Sequence, residues 1–165
     1  MSTTDTPVIP MLERRKLEAK LLKHVYDVLK ERHGVSEAQK AIGESVRRAA
    51  IAQGQEMAQT AGAPTSLQSF ADILPLWTMD DALKLEVLDK SETVLNFNVT
   101  RCRYAELYRE MGLAEIGHLL SCQRDGSFCE GYDPNLTMER TQTIMQGASH
   151  CDFRYRYEKD PTKQA

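Results

Sequence analysis

What this 165-residue sequence lacks excludes several classes of protein. No apolar run approaches the roughly 20 residues that cross a bilayer, so we expect no membrane span. Charge of one sign is not in strong excess, because 21 basic and 24 acidic residues give a formal net charge of −3. This balance argues against a nucleic-acid-binding surface. Aromatic residues are scarce at 7%, but a hydrophobic content of 41% is ordinary for one globular domain with its own core.

Several familiar motifs are also missing. The sequence has no glycine-rich phosphate loop, no GxSxG elbow and no HExxH helix. Its four cysteines form no CxxC pair, which leaves a structural zinc site with weak support. The first residues show neither the cationic nor the apolar region of a signal peptide, so we expect reduced thiols in a cytoplasmic protein. The sequence accordingly predicts no cofactor, with a metal held by Cys122, His150 and Cys151 as the weaker alternative.

The spacing of apolar residues predicts an α+β fold, in which N-terminal helices pack on a small antiparallel β-sheet made of two hairpins. Residues 1–10 are predicted to form a loose lead-in, and residues 11–160 a single domain. Within this domain, residues 11–82 are predicted to be helical, whereas residues 83–158 hold the sheet and the candidate site. The predicted order of elements is ααα-ββ-αα-ββ.

Helical periodicity predicts three N-terminal helices. The first helix, which ends at Gly34, carries an apolar face made of Leu17, Leu21, Val25, Val28 and Leu29. The second helix runs to about Thr60 and is rich in alanine, so a neighbour could pack closely against it. This helix is also the expected seam of a homo-oligomer or a hetero-complex. A third, shorter helix is predicted from Ser66 to Leu74.

Alternation of apolar and polar residues predicts the strands. The stretch LKLEVLDKSETVLNFNVT has this alternation on both sides of a polar turn, which predicts the first hairpin. The stretch RDGSFCEGYDPN is predicted to be a loop from its Gly, Asp and Pro content. The last hairpin is predicted to pair Thr137–Gln146 with Cys151–Glu158. Alternation along its second strand puts Cys151 and Asp152 on opposite faces.

The residues that could take part in catalysis or ligand binding cluster after position 100. Cys122 ends a predicted helix and Asp125 follows three residues later, so this carboxylate can reach back towards the thiol. Arg140 lies in a predicted strand whose other residues are mostly uncharged, where a buried guanidinium requires a partner. Simpler interpretations stay open, since a buried cysteine is usually a small hydrophobe and an aspartate before glycine suits a turn. Arg140 could likewise form a cross-strand salt bridge with Asp152 or Glu158.

Two stretches of the sequence resemble the L-2-amino-thiazoline-4-carboxylic acid hydrolase family: FNVTRCRYAELYREMGLAEIGHLLSCQRD and EGYDPNLTMERTQTIMQGASHCDFRYR. The helical N-terminal half is compatible with this family. The resemblance is carried by a composite pattern that is more specific than its pieces and that joins Cys122-x-x-Asp125, Arg140-Thr141, Gly147 and Cys151-Asp152-Phe153. The ending from Gly147 to Phe153 is also similar to that of vinyl-reductase-type small-molecule-binding domains. A non-catalytic binding protein or an accessory subunit of a catabolic enzyme is therefore the competing hypothesis.

The family resemblance implies a hydrolase that opens a small cyclic amidine or imide ring bearing a carboxylate, as when 2-amino-thiazoline-4-carboxylate becomes N-carbamoyl-cysteine. Such chemistry requires a base or nucleophile, an acid for the leaving atom and a cation for the carboxylate. The catalytic residues that the resemblance implies are Cys122, Asp125, Cys151 and Asp152. The implied substrate-binding residues are Arg140, with Arg101 as second choice, and Tyr132.

Strand alternation ranks the candidates. We place Cys122, Asp125 and Cys151 first, because Asp152 should face away from them. Asp152 is expected to brace the hairpin through a pair with an arginine. We further expect Cys122 and Cys151 to lie in one shared pocket and Cys129 to be peripheral.

Overall fold

The computed structural model describes residues 8–62 and 64–159, so most of the predicted lead-in and residue 160 lie outside it. The fold class is α+β, as predicted, with helices packed on a four-stranded antiparallel sheet. The main elements in chain order are α1 Met11–Thr60, α2 Leu67–Ile73, α3 Pro75–Thr78, β1 Leu83–Lys90, β2 Val94–Cys102, α4 Arg103–Glu110, α5 Arg124–Tyr132, β3 Leu136–Glu139 and β4 Cys151–Tyr157. Shorter helical turns span Met79–Asp81, His118–Cys122 and Ile144–Gln146. None of the described helices combines the length and the apolarity needed to cross a membrane.

Gly34 divides α1 into two arms, 11–33 and 35–60. Its backbone dihedrals, φ 84° and ψ 168°, are not helical, and glycine adopts this positive φ without strain. The arms run side by side in opposite directions, because Arg15 near the start of the first arm donates to Gln53 near the end of the second at 2.9 Å. The predicted helix end at Gly34 is confirmed as the turn of a helical hairpin.

The side of the first arm that meets the core is not the one that the apolar pattern predicts. Four of the five predicted residues are between 39% and 68% exposed: Leu17, Leu21, Val25 and Val28. The core-facing side instead carries Leu12, Ala19 and Tyr26, which are at most 9% exposed, together with Arg15. The prediction is wrong because the core-facing side mixes apolar residues with a charged one, whereas the more regular aliphatic stripe lies on an exposed side.

The second arm is crossed at very short distance by α5. A methyl group on Gly54 would lie 2.3 Å from the carbonyl oxygen of Phe128, and one on Gly131 would lie 2.0 Å from that of Ile51. Only glycine permits backbones to approach this closely. The small residues of the second arm thus serve a close neighbour, as expected, and that neighbour is a helix of the same chain. Oligomerisation through this arm stays a prediction.

The helix α5 corrects the prediction of a loop in this segment. Its glycine content favours a loop, but Gly131 serves close packing against the second arm rather than a turn. Phe128 and Tyr132 are 5% and 3% exposed and pack in the core between this helix and the sheet. Burial of these rings outweighs the weak helix propensity of the segment.

The sheet has the strand order β1-β2-β4-β3, and every neighbouring pair is antiparallel. The two predicted hairpins are therefore present, and the pairing of β2 with β4 joins them. The buried residues of the inner face are Leu95, Phe97, Val99, Leu136, Cys151, Phe153 and Tyr155. The predicted alternation in β4 is confirmed, since Cys151 faces the helices and Asp152 lies on the other face.

The last hairpin is shorter than predicted. The strand β3 ends at Glu139, and the chain then leaves the ladder. The backbone N–H groups of Thr141 and Gln142 donate to the carboxylate of Asp152, both at 2.9 Å. Amide groups that are held by a side chain cannot extend the strand ladder, so the prediction of a longer strand is wrong.

The crossing of α1 and α5 can be tested with two alanine substitutions in the second arm. Gly54→Ala should destabilise the fold by roughly 2 kcal/mol, because the added methyl group overlaps a backbone carbonyl. Gly43→Ala is the matched control, since its methyl group would lie 3.6 Å from Leu119, an ordinary contact. This control should be neutral or stabilising by up to about 1 kcal/mol. Urea unfolding of both variants measures the difference, and equal stabilities would contradict the close crossing.

Candidate functional site

The candidate site is a cavity between the inner face of the sheet and the helices. It consists of two chambers, in which the space open to the centre of a water molecule is about 50 and 60 Å³. The chambers share six lining residues: Arg15, Trp77, Leu83, Arg124, Asp125 and Phe153. Apolar side chains form much of the walls, so the charged groups among them interact through a medium of low polarity.

Four of the predicted site residues line one chamber together: Cys122, Asp125, Arg140 and Cys151. The prediction that Cys122 and Cys151 share a pocket is confirmed. The thiol of Cys102 lines the same chamber. Cys129 was expected at the periphery, but it is 2% exposed in the core because it lies on α5 and not in a loop.

Arg140 and Asp125 form an ion pair at the wall of this chamber. Nη1 of Arg140 donates to Oδ2 of Asp125 at 2.5 Å, and Nη2 donates to the carbonyl oxygen of Cys122 at 2.8 Å. The guanidinium carbon also lies 4.9 Å from the ring centre of Phe153. The side chains of Arg140 and Asp125 are only 11% and 25% exposed. Arg140 thus pairs with α5 and not with either of the cross-strand carboxylates that the sequence indicates.

The buried position of the pair shifts the pKa of both groups. Burial raises the pKa of the Asp125 carboxyl above its usual value, although Arg140 opposes the shift. Burial lowers the pKa of Arg140, but Asp125 outweighs this effect, so the pKa is raised and the guanidinium stays charged. A carboxylate of raised pKa is a stronger base than an ordinary aspartate. Asp125 therefore combines a position on the cavity wall with a raised pKa, two properties that suit a general base.

The thiols of the cavity are neutral at rest. Burial is the main cause that raises the pKa of Cys122 to about 12 and that of Cys102 to about 11. Burial also raises the pKa of Cys151, whose sulfur accepts a hydrogen bond from the N–H of Ile144 at 3.2 Å. Because the thiolate is the nucleophile, these thiols are not activated for attack.

Asp152, a predicted catalytic residue, does not line the cavity. Its carboxylate accepts hydrogen bonds from the backbone of Thr141 and Gln142 and from the Thr141 hydroxyl. Burial raises the pKa of Asp152, but these hydrogen bonds together lower it by more, so the net shift is downward. Asp152 braces the hairpin as expected, although its partners are these groups and not an arginine.

Two predicted substrate-binding residues also lie away from the cavity lining. Arg101 is half-exposed, and its Nε donates to Oε1 of Glu106 at 2.9 Å. Tyr132 is buried in the core, with its hydroxyl oxygen 2.7 Å from that of Ser69. Both side chains have structural partners within the fold.

The alternative metal site is not assembled. In residues 8–62 and 64–159, no group of three or more His, Cys, Asp or Glu side chains is arranged to hold a metal ion. Cys122 and Cys151 share a chamber, but His150 does not line it. The imidazole Nδ1 of His150 instead lies 2.9 Å from the hydroxyl of Ser149.

Two buried arginines of the cavity are missing from the sequence prediction. Arg15 and Arg124 are 3% and 8% exposed, and they share Oε2 of Glu18, each at 2.9 Å. Arg15 lies three residues after Leu12 and four before Ala19, on the core-facing side of the first arm. This spacing is the signal that could have found it, but the aliphatic residues on the opposite side predict the wrong face.

Comparisons with known proteins give one family and a shared fold. A family model described as L-2-amino-thiazoline-4-carboxylic acid hydrolase matches residues 14–155. A crystal structure of a trafficking protein particle complex subunit 3 from Naegleria fowleri, covalently bound to palmitic acid, aligns with 13% identity and a TM-score of 0.51, over 88% of this chain and 96% of that chain. The phenol-responsive sensory domain of the transcription activator PoxR with phenol aligns with 12% identity and a TM-score of 0.49, over 87% of this chain and 74% of that chain. No curated protein matches the chain.

The buried ion pair can be tested by removing its cation. Arg140→Met should destabilise the fold by roughly 3 kcal/mol, because it leaves the Asp125 carboxylate buried and unpaired. Joint replacement of Asp125 with leucine should recover much of this loss. Arg47→Met is the matched control, since Arg47 pairs with Glu130 at 2.8 Å in an exposed position and should contribute less than about 1 kcal/mol. Urea unfolding measures both losses, and equal losses would contradict a buried pair.

The protonation of the thiols can be tested by chemical labelling. At pH 7.5 the folded protein should react with a disulfide reagent at least about 100-fold more slowly than free cysteine, because little thiolate is present. The unfolded protein in urea provides the control and should react at the rate of the free amino acid. Mass spectrometry assigns each labelled residue. Fast labelling of Cys122 or Cys151 in the folded protein would identify an activated nucleophile and contradict the neutral state.

Proposed function

Because the chain belongs to the L-2-amino-thiazoline-4-carboxylic acid hydrolase family, we propose that it opens a small cyclic amidine or imide ring that bears a carboxylate. The reaction is similar to the conversion of 2-amino-thiazoline-4-carboxylate into N-carbamoyl-cysteine. Water adds to the ring carbon between nitrogen and sulfur, the bond from this carbon to sulfur breaks, and the sulfur leaves as a thiolate that takes up a proton. The observation that carries the proposal is Asp125, a carboxylate of raised pKa on the wall of a largely apolar cavity.

Asp125 acts as the general base in this proposal. Its Oδ2 atom is held by Arg140, whereas within the described part of the chain Oδ1 accepts no hydrogen bond. Oδ1 can therefore accept a proton from the attacking water, while Arg140 fixes the orientation of the carboxylate. Arg140 serves as a positioning residue here, and the substrate carboxylate requires a different cation.

The proton then moves from Asp125 to the leaving sulfur, which returns the carboxylate to its starting state. The neutral thiols of Cys102, Cys122 and Cys151 surround the same chamber. Sulfur is soft and polarizable, so these side chains suit a ring that contains sulfur. Attack by a cysteine thiolate receives no support, because burial raises the pKa of each of these thiols.

A second candidate function is small-molecule binding without catalysis. The observation in its favour is the absence of an activated thiol in the described cavity, together with aromatic and aliphatic walls around Trp77 and Phe153. Under this alternative the same residues hold a ligand, and Asp125 accepts no proton. Turnover separates the two functions.

The base can be tested by its pH dependence. Asp125 must be ionised to act, so kcat/KM should fall as the pH drops through an apparent pKa above the usual aspartate range. Asp125→Asn should lower kcat by about 100-fold or more. Asp27→Asn is the control for an aspartate at the surface, since Asp27 pairs with Lys23 at 2.8 Å on the first arm, and its activity should be unchanged. Wild-type activity in Asp125→Asn would refute the role of this base.

The substrate panel should include 2-amino-thiazoline-4-carboxylate and other cyclic amidines and imides with a carboxylate. Each compound is assayed at high enzyme concentration, with and without a chelator. The proposal expects turnover that the chelator does not reduce. Binding without turnover of any compound would favour the second function, and loss of turnover with the chelator would favour a metal enzyme.

A further inference from the structure

Positive charge is in excess at the cavity. The charged groups that line or brace it in the described chain are Arg15, Glu18, Arg124, Asp125 and Arg140. Three guanidinium groups face two carboxylates, which leaves one positive charge without a partner. An uncompensated charge in a buried site is costly, so a site of this composition favours an anion.

The excess charge lies at Arg15 and Arg124. Oε1 and Oε2 of Glu18 accept from Nη1 of Arg15 at 3.0 and 2.9 Å, and Oε2 also accepts from Nη2 of Arg124 at 2.9 Å. One carboxylate therefore serves two cations. The other partners of these arginines are neutral: Gln53 Oε1 at 2.9 Å for Arg15 and the carbonyl oxygen of Leu120 at 2.8 Å for Arg124.

One donor of this pair is free for a ligand. Within the described chain, Nη1 of Arg124 donates no hydrogen bond. Among the described residues, only the hydroxyl of Tyr26 is both fully buried and without a hydrogen-bond partner. Since Nη1 of Arg124 also lacks a partner, it is not fully buried and can be reached by a ligand. Arg15 and Arg124 line both chambers of the cavity. A free guanidinium donor at the wall of a cavity is suited to a carboxylate oxygen.

The two arginines also repel one another. Burial and the neighbouring Arg15 lower the pKa of Arg124 to about 10. An anion bound between them would reduce this repulsion. Arg140 has no free terminal nitrogen for an anion, because both already donate, one to Asp125 and the other to the carbonyl oxygen of Cys122.

We infer that Arg15 and Arg124 form a carboxylate-binding site and determine the specificity of the cavity for small monocarboxylates. The size of the ligand rests on the proposed function, whereas the preference for an anion rests on the charge balance. Arg124 and Asp125 both line the two chambers, so a ligand whose carboxylate contacts Arg124 can place its ring near the proposed base. The site thus selects substrates that carry an acidic group and orients them for attack.

The experiment uses the only tryptophan of the sequence, Trp77, which lines both chambers. Its fluorescence is titrated with 2-amino-thiazoline-4-carboxylate, with thiazolidine-4-carboxylate and with 2-amino-thiazoline, which has no carboxylate. Isothermal calorimetry repeats each titration independently of the fluorophore. The two carboxylated compounds should bind at least about tenfold more tightly than the third, since a charged hydrogen bond contributes this much.

Three variants test the arginines. Arg124→Gln should lose the preference for the carboxylated compounds, by about tenfold or more. Glu18→Gln keeps both arginines and removes their shared carboxylate, so it should bind the carboxylated compounds more tightly than the wild type. Arg47→Gln is the control for net charge, because Arg47 pairs with Glu130 at an exposed position, and its affinities should not change. The opposite directions expected for Arg124→Gln and Glu18→Gln distinguish a binding site from a general loss of folding.

The outcomes separate this inference from the proposed hydrolysis. Equal affinity of the wild type for carboxylated and uncarboxylated compounds would overturn the carboxylate site, as would unchanged affinity in Arg124→Gln. Failure of all three compounds to bind would overturn it too. Carboxylate-dependent binding without turnover would support the site and count against the hydrolase. Turnover that does not depend on the carboxylate would support the hydrolase and count against the carboxylate site.

Discussion

The site depends on ion pairs between buried guanidinium and carboxylate groups from different parts of the chain. Arg124 and Asp125 come from α5, Arg15 and Glu18 from the first arm of α1, and Arg140 from the segment after β3. The three guanidinium groups and Asp125 are largely buried, so each requires a partner from another part of the chain or from a ligand. The helical hairpin, α5 and the sheet must all be in place before these groups can meet. Folding and assembly of the site are therefore one process.

Close packing sets the distances within that arrangement. The glycines at the crossing of α1 and α5 let the two helix backbones touch, and this contact fixes α5 over the inner face of the sheet. Phe128 then packs edge-on against Trp77, with ring centres 5.4 Å apart, at the wall of the cavity. A larger residue at either glycine would move α5 and, with it, the two charged residues at its start.

The chemistry of the cavity follows from its low polarity. Burial raises the pKa of thiols and carboxyls alike, but the consequences differ for the two groups. A neutral thiol loses its nucleophilicity, whereas a carboxylate of raised pKa becomes a stronger base when it is ionised. This difference is the physical reason why Asp125, and not Cys122 or Cys151, is the base in the proposed reaction.

The sequence by itself determined those features that depend on neighbours along the chain. Strand alternation predicts correctly that Cys151 faces the core and Asp152 does not, and Gly34 marks the end of the first arm because few other residues adopt its positive φ. Only the tertiary structure decided which face of the first arm is buried and which partners the arginines have. Arg124 meets Glu18 across 106 positions, a separation over which local periodicity carries no information. Buried charges pair with the groups that lie near them in space, and the packing of whole helices and strands decides which groups these are.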